Sequence, residues 1–303
     1  MLISIIISTR NRHNDILNCL NSILANNYKE FEIIVIDQGD TDKTERIIKK
    51  INNPLIKYWR HGVKGLSKGR NFGIKSSSGE IIAFTDDDCL VDKNWLRDIL
   101  FSFHKNKNIV GVFGKVLPYR QYLNKSKICP CIFLNNKKRI IDDPDLHWEN
   151  IGFGNNMAFK RKIFNNLGGF SEWLGLGSIG NSAEDAEFAL RALSKNYKIL
   201  YNPKIKVWHN RWVKGRELKK QKLSYLCGEM ACYGYFAFQG KKFAQKIIIN
   251  NLENRYRESR KAIKYLIFFR KKSLSPFVFK IKEICFCLRG LLIGFYFAKK
   301  EPL

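Results

Sequence analysis

Short apolar runs and segments of helical periodicity alternate over the first hundred residues of the chain. Residues 2–8, 31–36, 55–59 and 80–85 are rich in β-branched and aromatic side chains, which predicts four strands. The segments between them, including 41–51 and 66–76, place apolar side chains three and four positions apart, as helices do. This alternation predicts an α/β domain with a mostly parallel sheet and helices on both of its faces.

The regular pattern continues to residue 116 and then breaks down. Residues 95–104 predict a helix and residues 110–116 a strand, whereas 117–150 show no clear period. An irregular stretch of this length inside a compact domain is either functional or disordered. A last strand is predicted over 205–209, and helical segments with many basic and apolar residues follow it.

Polar residues follow the predicted strands at the ends where parallel sheets bind ligands. Residues 9–12 follow the first strand, Asp37 ends the second, and Asp86, Asp87 and Asp88 follow the fourth. These loops are expected to converge on one crevice at the carboxyl edge of the sheet. None of them carries the glycine pattern of a dinucleotide site or of a phosphate-binding P-loop, which disfavours both of those classes.

The three consecutive aspartates predict a cation site. Carboxylates this close repel one another and raise one another's pKa unless a cation is shared among them. In an extended backbone Asp86 and Asp88 point the same way, and a pair of carboxylates suits a hard ion such as Mg²⁺ or Mn²⁺. For the triplet taken alone, a solvated acidic turn is the alternative.

Net charge indicates an anionic partner for the last third of the chain. The sequence has 54 basic and 27 acidic residues, for a net charge of +27, and residues 204–303 hold 24 of the basic residues and 6 of the acidic ones. Membrane lipid, nucleic acid and a phosphorylated substrate are the three candidates. The eight cysteines lack zinc spacing and a disulfide framework, and the amino terminus lacks a signal peptide, so we expect reduced thiols and a cytoplasmic protein.

An apolar segment near the end of the chain favours a membrane among the three candidate anionic partners. Residues 284–298 are strongly apolar, but fifteen residues with Arg289 among them are too few to span a bilayer. Lys280 and Lys282 precede the segment, and Lys299 and Lys300 follow it. We therefore predict an interfacial helix on an anionic membrane surface, with packing against the catalytic domain as the alternative.

The loops carry a resemblance to a known family. Its motifs run in order through Ser4-Ile-Ile-Ile-Ser-Thr-Arg-Asn-Arg12, Val35-Ile-Asp-Gln-Gly-Asp-Thr-Asp42, Gly65-Leu-Ser-Lys-Gly-Arg-Asn-Phe-Gly73, Phe84-Thr-Asp-Asp-Asp-Cys-Leu90 and Asn181-Ser-Ala-Glu-Asp-Ala-Glu-Phe-Ala-Leu-Arg191. As a set, over residues 3–210, they resemble the family 2 glycosyltransferases, which have the GT-A fold. Gln38 departs from that pattern, because the family commonly has a second aspartate there.

The resemblance implies an activity and a domain organisation. It implies an inverting glycosyltransferase that moves a sugar from a nucleotide-diphosphate donor to an acceptor hydroxyl. The basic charge beside apolar helical segments favours a glycan or lipid-linked acceptor in cell-surface polysaccharide synthesis. Residues 1–212 would form a GT-A domain, with a nucleotide-sugar half over 1–116 and an acceptor half over 117–212. Residues 213–303 would form a C-terminal helical appendage. From the basic and apolar C-terminal segment we expect the protein to lie peripherally on the inner face of the cell membrane.

The same resemblance implies roles for individual residues. Thr9, Asn11 and Asp37 would hold the nucleoside, and Asp86 and Asp87 would lie at the donor diphosphate. Asp86, Asp88 and His209 would bind the Mn²⁺ or Mg²⁺ that bridges this diphosphate. From its position at the start of a predicted helix beside the crevice, Arg70 is expected to meet the diphosphate as well.

Asp185 is the predicted catalytic base. Glu184 and Glu187 continue into a polar stripe along the predicted helix, whereas Asp185 aligns with Phe188, Ala189 and Ala192, so we expect Asp185 to face inward. A carboxylate placed there could take a proton from the acceptor hydroxyl, and the family's aspartate at this motif has that role. Capping of the helix start is the structural alternative.

Three other functions compete with this prediction. A nucleic-acid-binding protein would account for the basic charge, but it leaves the acidic triplet unexplained and no recognised nucleic-acid motif is evident. A sugar nucleotidyltransferase would need a glycine-rich basic loop after the first strand, which residues 10–13 do not provide. A non-catalytic relative with the GT-A fold would keep the motifs without turnover.

Overall fold

The protein is described as a computed structural model that covers residues 1–123, 126–145, 150–269, 275–301 and 303. The chain forms two compact units. Unit 1 consists of Met1–Glu172 and Glu184–Lys214, and unit 2 consists of Trp173–Ala183 and Gly215–Leu303.

Nine strands in the described part of unit 1 form one sheet. They are β1 (Ile3–Thr9), β2 (Phe31–Asp37), β3 (Ile56–Arg60), β4 (Ile81–Phe84), β5 (Cys89–Val91), β6 (Ile109–Pro118), β7 (Arg139–Ile141), β8 (Met157–Lys160) and β9 (Lys198–His209). The order across the sheet is β3-β2-β1-β4-β8-β6-β9-β5, and β7 also pairs with β9.

Six helices connect these strands. They are α1 (His13–Leu24), α2 (Lys43–Ile51), α3 (Leu66–Lys75), α4 (Trp95–Lys105), α5 (Arg161–Leu167) and α6 (Glu184–Ser194). The strands β3, β2, β1 and β4 pair in parallel, as do β6 and β9, which confirms the predicted α/β class with its largely parallel sheet. The short strands β5, β7 and β8 pair antiparallel with their neighbours.

The core of unit 1 lies between the sheet and its helices. Ile5 and Ile7 of β1, Ile33 of β2 and Trp95 of α4 are fully buried in one apolar cluster, together with residues of α1, β6 and β9. Burial of β-branched side chains on adjacent parallel strands removes a large apolar area from water, which fixes the register of these strands. The register in turn aligns the carboxyl ends of β1, β2 and β4.

Unit 2 is helical, and its long helices confirm the predicted C-terminal helices. They are α7 (Gly215–Phe238), α8 (Lys242–Phe269) and α9 (Ser275–Lys300). Cys287 of α9 is buried with Leu226 and Met230 of α7. At Gly290 an added Cβ would lie 2.4 Å from the carbonyl oxygen of Cys227, so glycine is needed where these two helices approach each other.

Within the described part of the chain, no helix combines the length and the hydropathy that a membrane span requires.

Candidate active site

Six segments meet at one edge of the sheet in unit 1. The strands β1, β2 and β4 end there, and β8 begins there because it runs antiparallel to β4. β9 ends there at His209, because β9 is parallel to β6 and both β6 and β4 are antiparallel to β8. The start of α6 joins them through Asp185, which contacts the segment that leads into β8. Side chains from distant parts of the sequence are thereby brought together.

The two β1-loop residues predicted to hold the nucleoside make different contacts. The Thr9 hydroxyl donates a 2.6 Å hydrogen bond to Oδ2 of Asp87, which ties the end of β1 to the acidic triplet. Asn11 has a φ of 58° and exchanges two hydrogen bonds with Asp40, at 3.0 and 2.9 Å. Asn11 therefore joins the loop after β1 to the loop after β2.

Asp37, the third residue predicted for the nucleoside, is fully buried. Its Oδ1 accepts from the Gly39 amide at 2.7 Å, and its Oδ2 accepts from the Tyr58 hydroxyl at 2.9 Å. The neighbouring Gln38 donates to the carbonyl oxygens of Val63 and Gly65, which anchors the loop before α3. A nucleoside that reaches Asp37 must therefore replace the Tyr58 hydroxyl or share the carboxylate with it.

The acidic triplet is divided between two arginines. Asp86 is half-buried and accepts from Arg70 at 3.3 Å, whereas Asp87 and Asp88 are buried and contact Arg12. Burial, and after it the charge of Asp88, raises the pKa of Asp87 to about 7. Burial acts in the same direction on Asp88, but its hydrogen bond to His209 and the charges of His209 and Arg12 lower the pKa of Asp88 overall.

His209 faces Asp88 with one ring nitrogen and the backbone with the other. Its Nε2 lies 3.2 Å from Oδ1 of Asp88, and its Nδ1 lies 2.8 Å from the carbonyl oxygen of Pro130. Burial opposes the charged form of His209, but Asp88 and then the nearby Cys129 raise its pKa above the ordinary value. Because a carbonyl oxygen can only accept, Nδ1 carries a proton. The protonated imidazolium donates from Nε2 to Asp88, whereas a neutral His209 would offer its Nε2 lone pair to a metal.

The described residues contain one group of side chains that could hold a metal. Ligand atoms of Asp88, Cys89 and His209 lie within 4.8 Å of one another, and all three residues are buried. Two of the three predicted metal ligands, Asp88 and His209, belong to this group. Asp86, the third predicted ligand, instead directs Oδ1 towards Arg70.

Arg70 links the acidic triplet to the predicted base. It is 3% exposed and donates to Asp86 at 3.3 Å, to Glu184 at 2.7 Å and to the carbonyl oxygen of Gly154 at 3.3 Å. The amide of Gly154 in turn donates to Oδ2 of Asp185 at 2.5 Å. The backbone of one residue, Gly154, thus contacts both Arg70 and Asp185.

Gly154 has to be glycine in this arrangement. A Cβ added there would lie 2.9 Å from Oδ2 of Asp185 and 3.1 Å from Nη1 of Arg70. Both side chains would have to move to admit it. The close approach of backbone to side chain therefore fixes where the Asp185 carboxylate lies.

The predicted orientation of α6 is wrong. Glu184 and Glu187 are 5% and 0% exposed, whereas Asp185 is only half-buried. The glutamates can be buried because each has an arginine partner. Glu184 pairs with Arg70, and Glu187 pairs with Arg191, whose guanidinium also donates to the carbonyl oxygens of Leu167 and Gly169. A polar stripe with buried partners cannot be told from a solvated one by spacing alone.

Glu184 is consequently a second titratable group beside Asp185. Burial, and after it the charge of Asp185, raises the pKa of Glu184 to about 7 despite the opposing charge of Arg70. Asp185 accepts from the amides of Gly154 and Ala186, and it retains partial exposure to solvent. A group that enters from solvent can therefore approach Asp185 more readily than Glu184.

Sequence reasoning missed Arg12, Gly154 and the role of Glu184. Arg12 lies in a loop that was expected at the crevice, and the acidic triplet opposite to it was the available signal. Gly154 lies in the segment 152–159, which also resembles the family, but no role was predicted for it, because its importance comes from the lack of room for a Cβ beside two side chains that lie far apart in sequence.

Comparisons with known proteins identify relatives of this chain. The family model for glycosyl transferase family 2 matches residues 4–168. The glucosyl-dolichyl phosphate glucuronosyltransferase of Haloferax volcanii is 23% identical over 220 residues, which are 69% of this chain and 69% of that protein. The poly(ribitol-phosphate) beta-N-acetylglucosaminyltransferase TarS of Staphylococcus aureus is 33% identical over 133 residues, which are 40% of this chain but 23% of that protein.

Solved structures resemble the fold over nearly the whole chain. A mannosyltransferase from Pyrobaculum calidifontis, in complex with GDP-Man and Mn²⁺, gives a TM-score of 0.62 at 15% identity and covers 95% of this chain and 86% of that one. TarS in complex with UDP-GlcNAc gives a TM-score of 0.60 at 17% identity and covers 98% of this chain and 81% of that one. The predicted GT-A fold is thereby confirmed.

Proposed function

Because the chain belongs to glycosyl transferase family 2, we propose that it is an inverting enzyme that transfers a sugar from a nucleotide-diphosphate donor to a hydroxyl of a glycan or lipid-linked acceptor. The observation that carries the proposal is the connected set of Asp86, Arg70, Gly154 and Asp185 at one edge of the sheet. It links the Arg70 guanidinium, which suits a donor diphosphate, with the Asp185 carboxylate, which suits the proton of an acceptor hydroxyl. Cell-surface polysaccharide synthesis is the pathway class that we propose.

The donor would lie across the carboxyl ends of β1, β2 and β4. Thr9, Asn11 and Asp37 are our candidates for the nucleoside, and Arg70, Asp86 and Asp87 for the diphosphate. A guanidinium as well buried as that of Arg70 makes strong charge-assisted hydrogen bonds to phosphate oxygens. Arg70 would have to share its donors between the phosphate and Glu184, which holds it in place.

The residues at the end of the triplet fit a divalent ion. Oδ1 of Asp88 and Nε2 of His209 face each other at 3.2 Å in a buried site, and carboxylate with imidazole is a suitable donor pair for Mn²⁺. Asp88 and His209 would hold Mn²⁺ or Mg²⁺, with Asp86 as a third ligand if it leaves Arg70. A bound divalent ion supplies positive charge to the diphosphate leaving group.

Asp185 is our candidate for the general base. The acceptor oxygen forms a bond to the anomeric carbon, the bond from that carbon to the diphosphate oxygen breaks, and the acceptor proton passes to Asp185. Attack from the side opposite the leaving group inverts the anomeric centre. Glu184 would act on Arg70 and on the charge of Asp185, without touching the acceptor.

Donor binding tests the proposal directly. Calorimetric titration of the full chain with UDP-, GDP- and dTDP-sugars in Mn²⁺ should give saturable binding of at least one donor. Asp88→Asn should lose this binding, whereas Asp142→Asn, at an exposed carboxylate outside the motifs, should keep it. Binding of an RNA homopolymer without binding of any nucleotide sugar would instead favour the nucleic-acid alternative.

We further propose that the protein works on the cytoplasmic face of a membrane. Exposed apolar side chains follow one face of α9, namely Val278, Ile281, Cys285, Leu288, Leu292, Phe295 and Tyr296. The opposite face of α9 packs on α7 through Cys287. Phe295 also contacts Phe238 of α7, but the side chains of this face remain exposed.

The charges around this face favour an anionic lipid surface. Lys282, Arg289 and Lys300 are exposed along one border of the α9 face, and Lys299 lies over the Phe295 ring. Glu283, the acidic residue within α9, is turned away and pairs with Arg255. A face of this composition suits the headgroup region of an anionic bilayer. A lipid-linked acceptor is also supported by the Haloferax relative, whose name specifies a dolichyl phosphate substrate.

A further inference from the structure

Arg12 occupies the part of the site that a divalent ion would use. It lies in the loop between β1 and α1, and its Nη1 is 3.1 Å from Oδ1 of Asp87 and also contacts Oδ2 of Asp88. The guanidinium thus bridges the two buried carboxylates of the triplet. Neither the motif resemblance nor the proposed reaction assigns it a role.

The buried carboxylates need a positive partner when no metal is bound. Asp87 and Asp88 are 4% and 6% exposed, and a buried unpaired carboxylate is strongly unfavourable. The terminal nitrogens of Arg70 already donate to Asp86, Glu184 and Gly154, and His209 faces Asp88. Arg12 contacts both Asp87 and Asp88, so it is the positive group that these two carboxylates share in the ligand-free protein.

The two arginines differ in how easily they can leave. The side chain of Arg70 is 3% exposed, whereas that of Arg12 is 32% exposed and opens to solvent. Its contacts with Asp87 and Asp88 both run through one terminal nitrogen of a long side chain. Rotation of the side chain would release both carboxylates without moving the backbone of α1.

We propose that Arg12 is a built-in competitor of the divalent ion at Asp88, held on the carboxylates until the donor arrives. Two positive groups on the same carboxylates repel each other, so the ion gains its ligands only when Arg12 withdraws. The donor diphosphate offers the withdrawn guanidinium a new partner. Ion and donor should therefore bind cooperatively, each strengthening the other, and the ion alone should bind weakly. This inference rests on the proposed metal site.

The test measures Mn²⁺ binding to the full chain without nucleotide. The electron paramagnetic resonance signal of free Mn²⁺ reports how much of the ion remains unbound. Arg12→Gln removes the charge but keeps an N–H donor for the carboxylates, and Arg12→Met removes both. We expect each to tighten Mn²⁺ binding by about 5- to 150-fold, the usual range of coupling between two ligands. Arg12→Lys, which keeps the charge, should stay nearer to the wild type.

Arg10→Met is the matched control. Arg10 lies in the same loop, is 47% exposed and approaches Asp40 at 3.9 Å, so its loss should leave Mn²⁺ affinity within about twofold, as expected for a screened surface charge. Adding Asp88→Asn to Arg12→Gln should abolish the gain, which places the bound ion at the triplet.

The outcomes separate this inference from the proposed function. If the wild type binds Mn²⁺ and both neutral variants bind it equally or more weakly, Arg12 is not a competitor, although the metal site stands. If neither the wild type nor any folded variant binds Mn²⁺, the competitor and the metal site both fail. Melting temperatures of all variants identify the folded ones, and Arg12→Gln carries the test should Arg12→Met not fold.

Discussion

Asp185 and Glu184 are adjacent in sequence but lie in different surroundings. Glu184 is buried against Arg70, whereas Asp185 is half-buried and held by the Gly154 amide. Spacing along the helix predicted that Asp185 is buried and Glu184 exposed, which is the reverse of what the structure has. The prediction failed because Arg70, the partner that allows Glu184 to be buried, lies in a distant segment of the sequence. The choice of Asp185 as the base is therefore supported by its partial exposure and by the family motif, and no longer by an inward orientation.

Substitution of the two carboxylates should separate a base from a positioning group. Asp185→Asn removes the proton acceptor and keeps the shape, so we expect turnover to fall by about 10²- to 10⁴-fold with little change in donor affinity. Glu184→Gln should weaken donor binding, because Glu184 holds Arg70 in place. At saturating donor it should keep a larger share of the wild-type turnover than Asp185→Asn does. Steady-state kinetics with varied donor measure both effects. Near-normal turnover of folded Asp185→Asn would mean that the base lies elsewhere.

Glu184 should also leave a signature in the pH dependence of stability. Its pKa in the folded chain is raised to about 7 from an ordinary 4.5. At a pH between these two values, Glu184 is protonated in the folded chain but has lost its proton in the unfolded chain. Folding therefore becomes less favourable as the pH rises through this window. Between pH 5 and pH 7 the melting temperature of the wild type should fall relative to that of Glu184→Gln. Parallel pH profiles of the two proteins would contradict the raised pKa.

At the scale of elements, the sequence predicted what short-range patterns determine. The strands β1, β2, β3 and β4 and the helices between them were predicted because alternating periods of two and 3.6 residues are local signals. The antiparallel places of β5, β7 and β8 were not predicted, because three- and four-residue strands carry little pattern and their partners are distant in sequence. The carboxyl-end rule for parallel sheets nevertheless located the crevice.

The exposed face of α9 gives a prediction for one helix. Leu288 and Leu292 are 52% and 69% exposed, so changing both to Asp should leave the fold intact and reduce flotation with phosphatidylserine vesicles. Ile249→Asp on α8, at a residue that is 55% exposed, is the matched control and should float like the wild type. Unchanged flotation of the Leu288/Leu292 variant would show that α9 does not contact lipid.

At the scale of the whole molecule, charge and chemistry are unevenly distributed. The acidic residues of the proposed site lie in unit 1, whereas the sequence from residue 204 onward has a surplus of 18 positive charges. A nucleotide sugar needs a few buried, directed contacts, and an anionic surface needs many exposed charges. Unit 1 thus has the properties of a nucleotide-sugar site, and the C-terminal part of the sequence has those of a region that binds an anionic surface. Salt should affect the two kinds of binding differently.

This difference leads to a prediction for the intact chain. Exposed charges are screened over about 10 Å at 0.1 M salt and over about 3 Å at 1 M, whereas contacts with buried groups are screened much less. Raising the salt from about 0.05 to about 0.5 M should therefore release the protein from anionic vesicles but change donor affinity only slightly. Flotation and calorimetric titration in the same buffers measure the two responses. Vesicle binding that survives high salt and persists on uncharged lipid would mean that the apolar face of α9 is sufficient, and that the basic surplus has another partner.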